Sequence, residues 1–333
     1  MEIDKKIFYN GNRLLSHDCR LHYVIGNRGC GKTYWFKKWC IKDFIKTGKQ
    51  FVYLRRYSSE LDEGKKERWA DDIKHEFPDH EITIKGMTIF CDKKPCGFFM
   101  TLSKALTMKS VPFPQVDKII YDEFITSDKR RYYLKDEVRE FLDLLSTLMR
   151  LKSGMRIFLL SNAISVSNPY FAFYKINKLN KEFTKVNKLT IIEYIDNPEY
   201  KKVLKNSEFG ELVKGTSYAK YAIENEFLLD DGDTFIGKKT KKAYLDFNFL
   251  YKGNYYGVWV DYSVGKYFIS YSHDKNYNTY VLTLEDHKPN TMVIKGRSQI
   301  LKRFVENYRM GNVWYENVNI KNISYEMIRL FLI

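Results

Sequence analysis

Apolar runs separated by amphipathic segments mark the first half of the chain. A short apolar run at residues 21–25 is followed by a glycine-rich turn, a helix-like segment at 33–46 and a second apolar run at 50–54. The order strand, helix, strand predicts a parallel sheet, because parallel strands need a crossover connection between them. These elements therefore indicate an α/β domain.

Two more apolar runs, at residues 118–121 and 155–160, extend the predicted sheet. Between them, residues 137–151 carry apolar side chains at steps of three and four, which predicts an amphipathic helix packed against the sheet. Residues 81–101 contain two apolar runs around a turn with a proline, and this pattern predicts a β-hairpin.

The pattern changes after residue 174. Residues 175–206 contain eight lysines among scattered apolar positions, which predicts a connecting segment. Residues 207–333 predict an antiparallel meander of three strands and, from residue 299, helices. We therefore expect a parallel-sheet domain at 1–174, a lysine-rich linker at 175–206 and a smaller α+β domain at 207–333.

The composition is that of a folded protein, with 44% hydrophobic and 29% charged residues. No stretch approaches the roughly 20 apolar residues of a membrane span, and the first residues lack an apolar leader, so we expect neither membrane insertion nor export. The five cysteines have no regular spacing, and we expect free thiols in a reducing compartment.

The net charge of +15 is unevenly placed, because +13 of it lies in residues 1–206. A basic excess of this size favours a polyanionic partner, and nucleic acid is the first candidate. A surface that is basic only for solubility remains the alternative.

Two histidines and two cysteines raise a zinc site as one hypothesis. His75, His80, Cys91 and Cys96 have four-residue gaps near the edge of metal-ligand spacing. The hairpin prediction places both cysteines beside a turn instead, and we favour that structural interpretation.

An unbroken G-x-x-x-x-G-K-[ST] motif lies between the first predicted strand and the first predicted helix. Its residues are Gly26, Asn27, Arg28, Gly29, Cys30, Gly31, Lys32 and Thr33. Glycines in such a loop let backbone N–H groups face the phosphates of ATP, and the helix N-terminus adds partial positive charge. The motif predicts that Lys32 reaches the β- and γ-phosphates and that Thr33 binds Mg²⁺, with a tight turn and an incidental lysine as the alternative.

Asp122 and Glu123 come directly after the apolar run at 118–121. In P-loop ATPases an aspartate in this position holds Mg²⁺, and a neighbouring glutamate can polarise the attacking water. We therefore expect Asp122 to be a metal ligand and Glu123 to be the catalytic base. Two solvated acids at a strand end are the alternative.

Further polar residues lie at the ends of predicted elements. Asn162 is expected beside the γ-phosphate if its strand neighbours the Asp122 strand, although an asparagine that starts a turn is nearly as good an interpretation. Arg150, at the end of the amphipathic helix, is either a catalytic arginine for an adjacent subunit or a surface cation. Arg55 and Arg56 follow the second strand at the same end of the sheet as the glycine-rich loop, so we expect one of them to contact the nucleotide or a neighbouring subunit and the other to be a solvated or structural charge.

Four cations are candidates for DNA contacts. Lys129, Arg130 and Arg131 precede two tyrosines, a combination suited to a nucleic-acid backbone, and Arg56 adjoins Arg55. A solvated charge run is the alternative for Lys129, Arg130 and Arg131. A solvated or structural charge is the alternative for Arg56.

Several segments resemble the DNA-packaging ATPases of phi29-like bacteriophages. They are YVIG at 23–26 with the glycine-rich loop, FVYLRRY at 51–57, EFPDHE at 76–81, YDEF at 121–124 and LSNAISVSNPYF at 160–171. LSNAISV and FPDHE are more specific than the loop, which many families share. The likeness covers nearly the whole chain in length and order.

The resemblance implies a P-loop ATPase of the additional-strand, catalytic-glutamate class that forms a ring, expected to be a pentamer, in the host cytoplasm. In that family the ring sits on a packaging RNA at the portal vertex of a prohead and pumps double-stranded DNA inward. Lys32 and Thr33 match the Walker A residues, and Asp122 and Glu123 match the Walker B pair. Arg150 matches the arginine that acts in trans, Arg55 an arginine near the nucleotide, and Lys109 a second basic residue between subunits.

The resemblance also implies that the C-terminal domain is RNase H-like, binds nucleic acid and has lost nuclease function. Its carboxylates Asp246, Asp261 and Asp274 do not form a convincing metal-binding set by spacing, so we expect no nuclease activity. The rival interpretations are a different P-loop ATPase, such as a helicase or a phage-secretion protein, and a nonenzymatic nucleotide-gated assembly or RNA-binding module.

Overall fold

The computed structural model describes residues 7–108, 113–126, 133–134, 136–150, 152–163, 168–174, 176, 179, 182–216, 219, 223, 235–294 and 298–331. The chain forms two compact units, of which the first is Met1–Pro169 with Lys178–Leu229 and the second is Tyr170–Asn177 with Asp230–Ile333. Within the described residues, none of the helices has the length and apolar character needed to cross a membrane.

A nine-stranded sheet forms the centre of the first unit. Its strands are β1 (Leu21–Gly26), β2 (Gln50–Arg55), β3 (Ile82–Lys85), β4 (Thr88–Cys91), β5 (Lys94–Thr101), β6 (Val116–Asp122), β7 (Arg156–Asn162), β8 (Phe183–Lys185) and β9 (Thr190–Ile195). Across the sheet the order is β3-β4-β5-β2-β6-β7-β1-β9-β8. The strands from β5 to β9 in this order are parallel, which confirms the predicted parallel sheet.

The described residues up to 213 also form helices. In chain order they are α1 (Asn12–Leu15), α2 (Lys32–Thr47), α3 (Glu63–Lys74), α4 (Glu137–Met149), α5 (Pro169–Phe173), α6 (Pro198–Lys205) and α7 (Glu208–Val213). Helix α5 lies almost entirely in the second unit, and the others belong to the first. Helix α2 lies between Gly31 and Gly48, which have φ of 90° and 71°, because glycine adopts this left-handed conformation without steric cost. Its buried residues Phe36 and Cys40 belong to the same core cluster as Phe158 of β7.

The predicted hairpin is present as part of a three-stranded meander. Strand β4 pairs antiparallel with both β3 and β5, and the turn residues Asp92 and Lys93 have φ of 50° and 63°, as a tight two-residue hairpin turn requires. Strand β5 then continues into a parallel pairing with β2. All five cysteines of the chain are free, as the sequence predicted, and all five are buried.

The linker predicted at residues 175–206 is wrong, because most of this segment is built into the first unit. Strand β9 pairs in parallel with β1, the strand that precedes the glycine-rich loop, and β8 pairs antiparallel with β9. Helix α6 follows, and the side chain of its N-cap residue Asn197 accepts a hydrogen bond from the Tyr200 amide. The boundaries predicted at 174 and 207 are therefore replaced by one near residue 230, with the segment Tyr170–Asn177 also belonging to the second unit. Composition misled the prediction because Lys185, at the end of β8, and Lys188, in the turn before β9, are exposed residues beside a short apolar strand.

The described residues of the second unit form a six-stranded sheet and, besides α5, two longer helices. Its elements are β10 (Tyr244–Tyr251), β11 (Asn254–Asp261), β12 (Lys266–Ser270), β13 (Thr279–Val281), β14 (Thr291–Val293), α8 (Gln299–Arg309), β15 (Val313–Tyr315) and α9 (Val318–Phe331). Strands β10, β11 and β12 form the predicted antiparallel meander, and β13, β14 and β15 add parallel pairings at its two sides. Phe247, Phe304 and Tyr315 belong to a separate hydrophobic core, which fits the predicted α+β class.

Candidate nucleotide site

The glycine-rich loop joins β1 to α2, and groups outside the loop bind two of its carbonyl oxygens. The Tyr9 amide donates to the Cys30 carbonyl at 2.8 Å, and the Tyr200 hydroxyl of α6 donates to the Arg28 carbonyl at 3.1 Å. Gly29 lies against the same tyrosine, since a Cβ at this position would be 2.6 Å from the Tyr200 hydroxyl oxygen. A loop whose carbonyls are held in this way can present its N–H groups to phosphate.

Lys32 supplies a buried cation to the same loop. Its ammonium donates to the carbonyl oxygens of Gly26 and Asn27 at 3.0 and 2.6 Å and to Asn162 Oδ1 at 3.3 Å. Burial lowers the pKa of the Lys32 amine, because the charged form loses hydration. These oxygen partners are uncharged, so an anionic phosphate would stabilise the ammonium more strongly than they do.

Three side chains bind the carboxylate of Asp122 at the end of β6. The Thr33 hydroxyl donates to Oδ1 at 3.0 Å, the Tyr53 hydroxyl donates to Oδ2 at 2.5 Å, and Arg55 donates to Oδ2 at 3.2 Å. Burial, followed by the charge of Asp122, raises the pKa of Tyr53 well above its ordinary value, so the hydroxyl remains a donor.

Thr33 and Asp122 fit a magnesium ion. A hydroxyl and a carboxylate are the hard oxygen ligands that Mg²⁺ prefers, with bonds of about 2.0–2.1 Å in an octahedral arrangement. Adjacent ligands of such an ion are roughly 3 Å apart, and the 3.0 Å between Thr33 Oγ1 and Asp122 Oδ1 agrees with this separation. The two residues predicted to bind the metal are thus brought together.

Glu123 follows Asp122 in a left-handed conformation with φ of 56°, and its side chain is 59% exposed. The Arg55 guanidinium lies 2.7 Å from its Oε2, so Arg55 binds both acids of the predicted pair. Arg55 is also 3.6 Å from a carboxylate oxygen of Glu60. An accessible carboxylate beside a metal ligand is suited to accept a proton from water.

Asn162 lies where the sequence predicted it, on a strand next to the Asp122 strand. Strands β6 and β7 pair in parallel, and β7 also pairs with β1 so that Asn162 is opposite Gly26. This register explains the contact of Asn162 with Lys32. A role of Asn162 in sensing the γ-phosphate stays a prediction.

The prediction that Arg56 contacts DNA is wrong for this structure. Arg56 is 2% exposed, and its guanidinium forms two hydrogen bonds with the carboxylate of Glu137, at 2.8 and 2.9 Å. The carbonyl oxygens of Glu123 and Phe124 accept further hydrogen bonds from the same guanidinium. Arg55 and Arg56 point to opposite faces of the chain, as successive residues of an extended segment do, so of the two arginines it is Arg55 that binds the carboxylates of the acid pair.

Of the remaining predicted cations, Arg150 lies within the described residues. Arg150 directly follows α4, is exposed, and has a φ of 38°. Its exposure is compatible with a role in the pocket of an adjacent subunit, and that role stays a prediction. Lys109, Lys129, Arg130 and Arg131 lie outside the described residues.

Sequence reasoning missed several residues of the site. Tyr53 could have been found, because side chains two positions apart on a strand share a face and Arg55 was already a candidate. Tyr9, Tyr200 and Glu137 gave no such signal, since each contacts the site from a distant part of the chain.

The zinc hypothesis is not supported in the described part of the chain. The ligand atoms of His80, Cys91 and Asp92 lie within 4.8 Å of one another, but the His75 ring nitrogen is instead 3.0 Å from a tyrosine hydroxyl and Cys96 donates to the Ile89 carbonyl. Burial raises the pKa of Cys91 to about 11, which disfavours the thiolate that zinc requires. The hairpin interpretation therefore stands.

The carboxylates of the second unit have separate partners. Asp246 pairs with Arg303 at 3.1 Å, the Asp261 carboxylate accepts hydrogen bonds from Ser263, and Asp274 accepts one from a nearby backbone amide. The absence of nuclease activity stays a prediction.

A parallel sheet with a phosphate-binding loop after β1, and with a threonine, an aspartate and a glutamate around that loop, defines a P-loop ATPase fold. A family model described as Podovirus DNA encapsidation protein (Gp16) matches residues 3–333. The DNA packaging protein of Bacillus phage phi29 is 37% identical over 331 residues, which is 98% of each chain. The chain belongs to the Podovirus DNA encapsidation protein (Gp16) family.

Solved structures agree with this assignment. One that describes the bacteriophage Phi-29 viral genome packaging motor assembly has a TM-score of 0.79 at 36% identity and covers 97% of this chain and 99% of its own. The crystal structure of the N-terminal domain of the DNA packaging ATPase from bacteriophage phi29 has a TM-score of 0.54 at 40% identity, and covers 58% of this chain and 99% of its own. The predicted fold class, a P-loop ATPase domain followed by a further domain, is confirmed, and the resemblance to phi29-like packaging ATPases is confirmed with it.

Proposed function

We propose that this chain is the ATP-hydrolysing subunit of a motor that moves double-stranded viral DNA into a prohead. The arrangement of Lys32, Thr33, Asp122 and Glu123 around one glycine-rich loop is the observation that carries the proposal. Membership of a DNA encapsidation family supports the DNA substrate. The phi29 relative, whose structure is described as a packaging motor assembly, supports action within a multi-subunit complex.

The residues of the pocket have separate roles in ATP hydrolysis. The loop and Lys32 bind the β- and γ-phosphates, and Thr33 and Asp122 hold Mg²⁺, which neutralises phosphate charge when bound. Glu123 accepts a proton from the attacking water. Because Arg55 binds Glu123 at 2.7 Å, the carboxylate must leave this arginine, or share it, to reach the water.

The family resemblance supplies the proposed partners. The subunits form a ring, taken to be a pentamer, on the portal of the prohead in the host cytoplasm, with a packaging RNA beside it. Within the ring, Arg150 stabilises transition-state charge in the pocket of a neighbour, and Lys109 contributes between subunits. Lys129, Arg130 and Arg131 bind DNA phosphates, and the second unit binds nucleic acid without cutting it.

Substitution of the catalytic base tests the enzymatic part of this proposal. We expect Glu123→Gln to lower ATP turnover at least about a hundredfold, because general-base catalysis is lost, while ATP affinity stays within roughly threefold. Glu67→Gln, which changes an exposed glutamate on α3, is the matched control and should keep full turnover. Undiminished turnover in the Glu123 variant would reject Glu123 as the base.

Packaging itself requires a second assay. The native protein, with cognate proheads and ATP, should protect double-stranded DNA from added nuclease, and the Glu123→Gln protein should not. Strand separation without DNA protection would instead indicate a helicase. ATP binding without turnover by the native protein would indicate a nonenzymatic nucleotide-gated assembly.

A further inference from the structure

Arg56 joins three parts of the first unit that are distant in the chain. Its Nε and Nη2 atoms donate to the two carboxylate oxygens of Glu137, the first residue of α4, at 2.8 and 2.9 Å. Nη2 also donates to the Phe124 carbonyl at 2.5 Å, and Nη1 to the Glu123 carbonyl at 3.3 Å. The guanidinium thus binds the backbone of Glu123 and the start of a helix at the same time.

The backbone held in this way is strained. Glu123 has a φ of 56°, a left-handed conformation that a residue with a Cβ adopts at a steric cost. Such a conformation persists only where the surrounding structure imposes it. The two carbonyls that Arg56 binds belong to the peptide groups immediately after Glu123 and after Phe124, so Arg56 fixes the turn that directs the Glu123 side chain.

Each carboxylate oxygen of Glu137 accepts two hydrogen bonds. Besides Arg56, its Oε1 accepts from the Tyr121 hydroxyl at 3.0 Å and its Oε2 accepts from the Leu134 amide at 2.9 Å. Arg56 and Glu137 are each 2% exposed, and a buried ion pair is a poor source of stability because both ions lose their hydration. The pair contributes fixed geometry instead, because the rigid guanidinium fork sets the distance between the groups that it binds, whereas apolar side chains would not.

We infer that Arg56 and Glu137 form a positioning pair that sets the orientation of the catalytic Glu123 and fixes it to the start of α4. Neither residue belongs to the glycine-rich loop. The inference rests on the proposed function, in which Glu123 activates water. Because Arg150 directly follows α4, the pair also links the catalytic glutamate of a subunit to the helix that carries its exposed arginine.

Conservative substitutions in the full-length protein test the pair. Arg56→Lys keeps the charge but loses the fork, and Glu137→Gln keeps the shape but loses the ion pair. For both we expect kcat to fall by about ten- to a hundredfold, since a misplacement of about 1 Å near the reacting groups has effects of this size. The dissociation constant for ATP should change by less than about threefold, because Lys32 and the loop are untouched.

A second buried cation provides the matched control. Lys118 lies at the opposite end of β6 from Asp122, is 2% exposed and pairs with Asp43 and Asp117 at 2.6 Å. Lys118→Met should lower the unfolding midpoint as the Arg56 variant does, but leave kcat within about twofold. An equal loss of kcat in Lys118→Met and Arg56→Lys would overturn the inference, because general destabilisation would then explain both.

Two further outcomes keep the inference separate from the proposed function. If Glu123→Gln abolishes turnover while Arg56→Lys and Glu137→Gln retain it within about twofold, the positioning pair is rejected and Glu123 stands as the base. Should the variants of the pair fail to fold, Tyr121→Phe removes one hydrogen bond to Glu137 without changing either charge. A lower kcat with unchanged ATP affinity in that variant supports the pair, and a change in affinity alone rejects it.

Discussion

Gly29 meets two requirements at once in the glycine-rich loop. Its φ of 77° is left-handed, and a Cβ would be placed 2.6 Å from the Tyr200 hydroxyl oxygen. The same hydroxyl holds the Arg28 carbonyl, so a side chain at Gly29 would both strain the loop and displace its tether. The phosphate-binding conformation therefore depends on a residue of α6 that the motif itself does not contain.

Two glycine substitutions separate the effect of backbone strain from the effect of displacing the loop from Tyr200. Gly29→Ala should weaken ATP binding at least about tenfold, because the loop must move away from Tyr200. Gly48→Ala is the control: this residue has a similar φ of 71°, but open space surrounds the added Cβ. It should cost about 1 kcal/mol of stability and leave ATP affinity unchanged. Titration calorimetry with a non-hydrolysable ATP analogue measures the first effect, and equal affinities of the two variants would contradict it.

The site divides into residues that the sequence could predict and residues that it could not. The placement of Lys32, Thr33, Asp122 and Glu123 around one loop was predictable, because local motifs at the ends of strands specify it. The partners of Arg56 were not, since Glu137 is 81 positions away and the adjacent Arg55 has the same side chain but faces the acid pair. Charge and position alone could not assign one arginine to the pocket and the other to the interior.

At the scale of elements, strand β9 shows why the lysine-rich composition of residues 175–206 led to the wrong prediction of a linker. The segment Thr190–Ile195 is a buried strand of the parallel sheet, although lysines dominate its surroundings. Its central Glu193 would be unexpected in a core, yet the carboxylate is 4% exposed and accepts a hydrogen bond from the Tyr9 hydroxyl at 2.7 Å. Tyr9 also binds the glycine-rich loop through its amide, so β9 supports the nucleotide site indirectly.

The buried Glu193 predicts a pH-dependent stability. Burial raises its pKa from 4.5 to about 7. Between these pH values the folded chain keeps a proton that the unfolded chain has lost, so the free energy of unfolding falls as pH rises and levels off above about pH 7. The total change due to Glu193 is on the order of 3 kcal/mol.

Urea unfolding at pH 5, 6, 7 and 8 checks this prediction. Glu193→Gln stays neutral, so the variant should gain stability relative to the native protein as pH rises, by about 2 to 3 kcal/mol over this interval. Glu67→Gln, at an exposed position on α3, should differ from the native protein by a small amount that is the same at each pH. A pH-independent difference for Glu193→Gln would show that the carboxyl group is ionised throughout.

At the scale of the whole molecule, charge and family membership point in the same direction. The net charge of +15 favours contact with a polyanion, and the family is one of DNA encapsidation proteins. Neither fact identifies which subunit completes a given pocket. Arg150 is exposed after α4, while the pocket is formed at the ends of β1, β2, β6 and β7, so the proposed action in trans needs a test of its own.

Mixed assemblies of two inactive variants provide that test. Arg150→Ala should lower ATP turnover about a thousandfold or more, as the loss of an arginine finger does elsewhere. Its own pocket remains intact, whereas Glu123→Gln has a defective pocket but an intact Arg150. If Arg150 acts in a neighbour, co-assembly of the two on proheads restores turnover, because a Glu123→Gln subunit can serve an adjacent Arg150→Ala pocket. In random rings of equal amounts, roughly a quarter of the pockets would be complete. A complete pocket needs an Arg150→Ala subunit beside a Glu123→Gln subunit that supplies the arginine, and this arrangement occurs by chance in about one adjacent pair in four.

Mixing Glu123→Gln with Lys32→Ala is the control and should restore nothing, because both substitutions disable the pocket of the subunit that carries them. Inactivity of the first mixture, with assembly confirmed, would place the action of Arg150 within its own subunit.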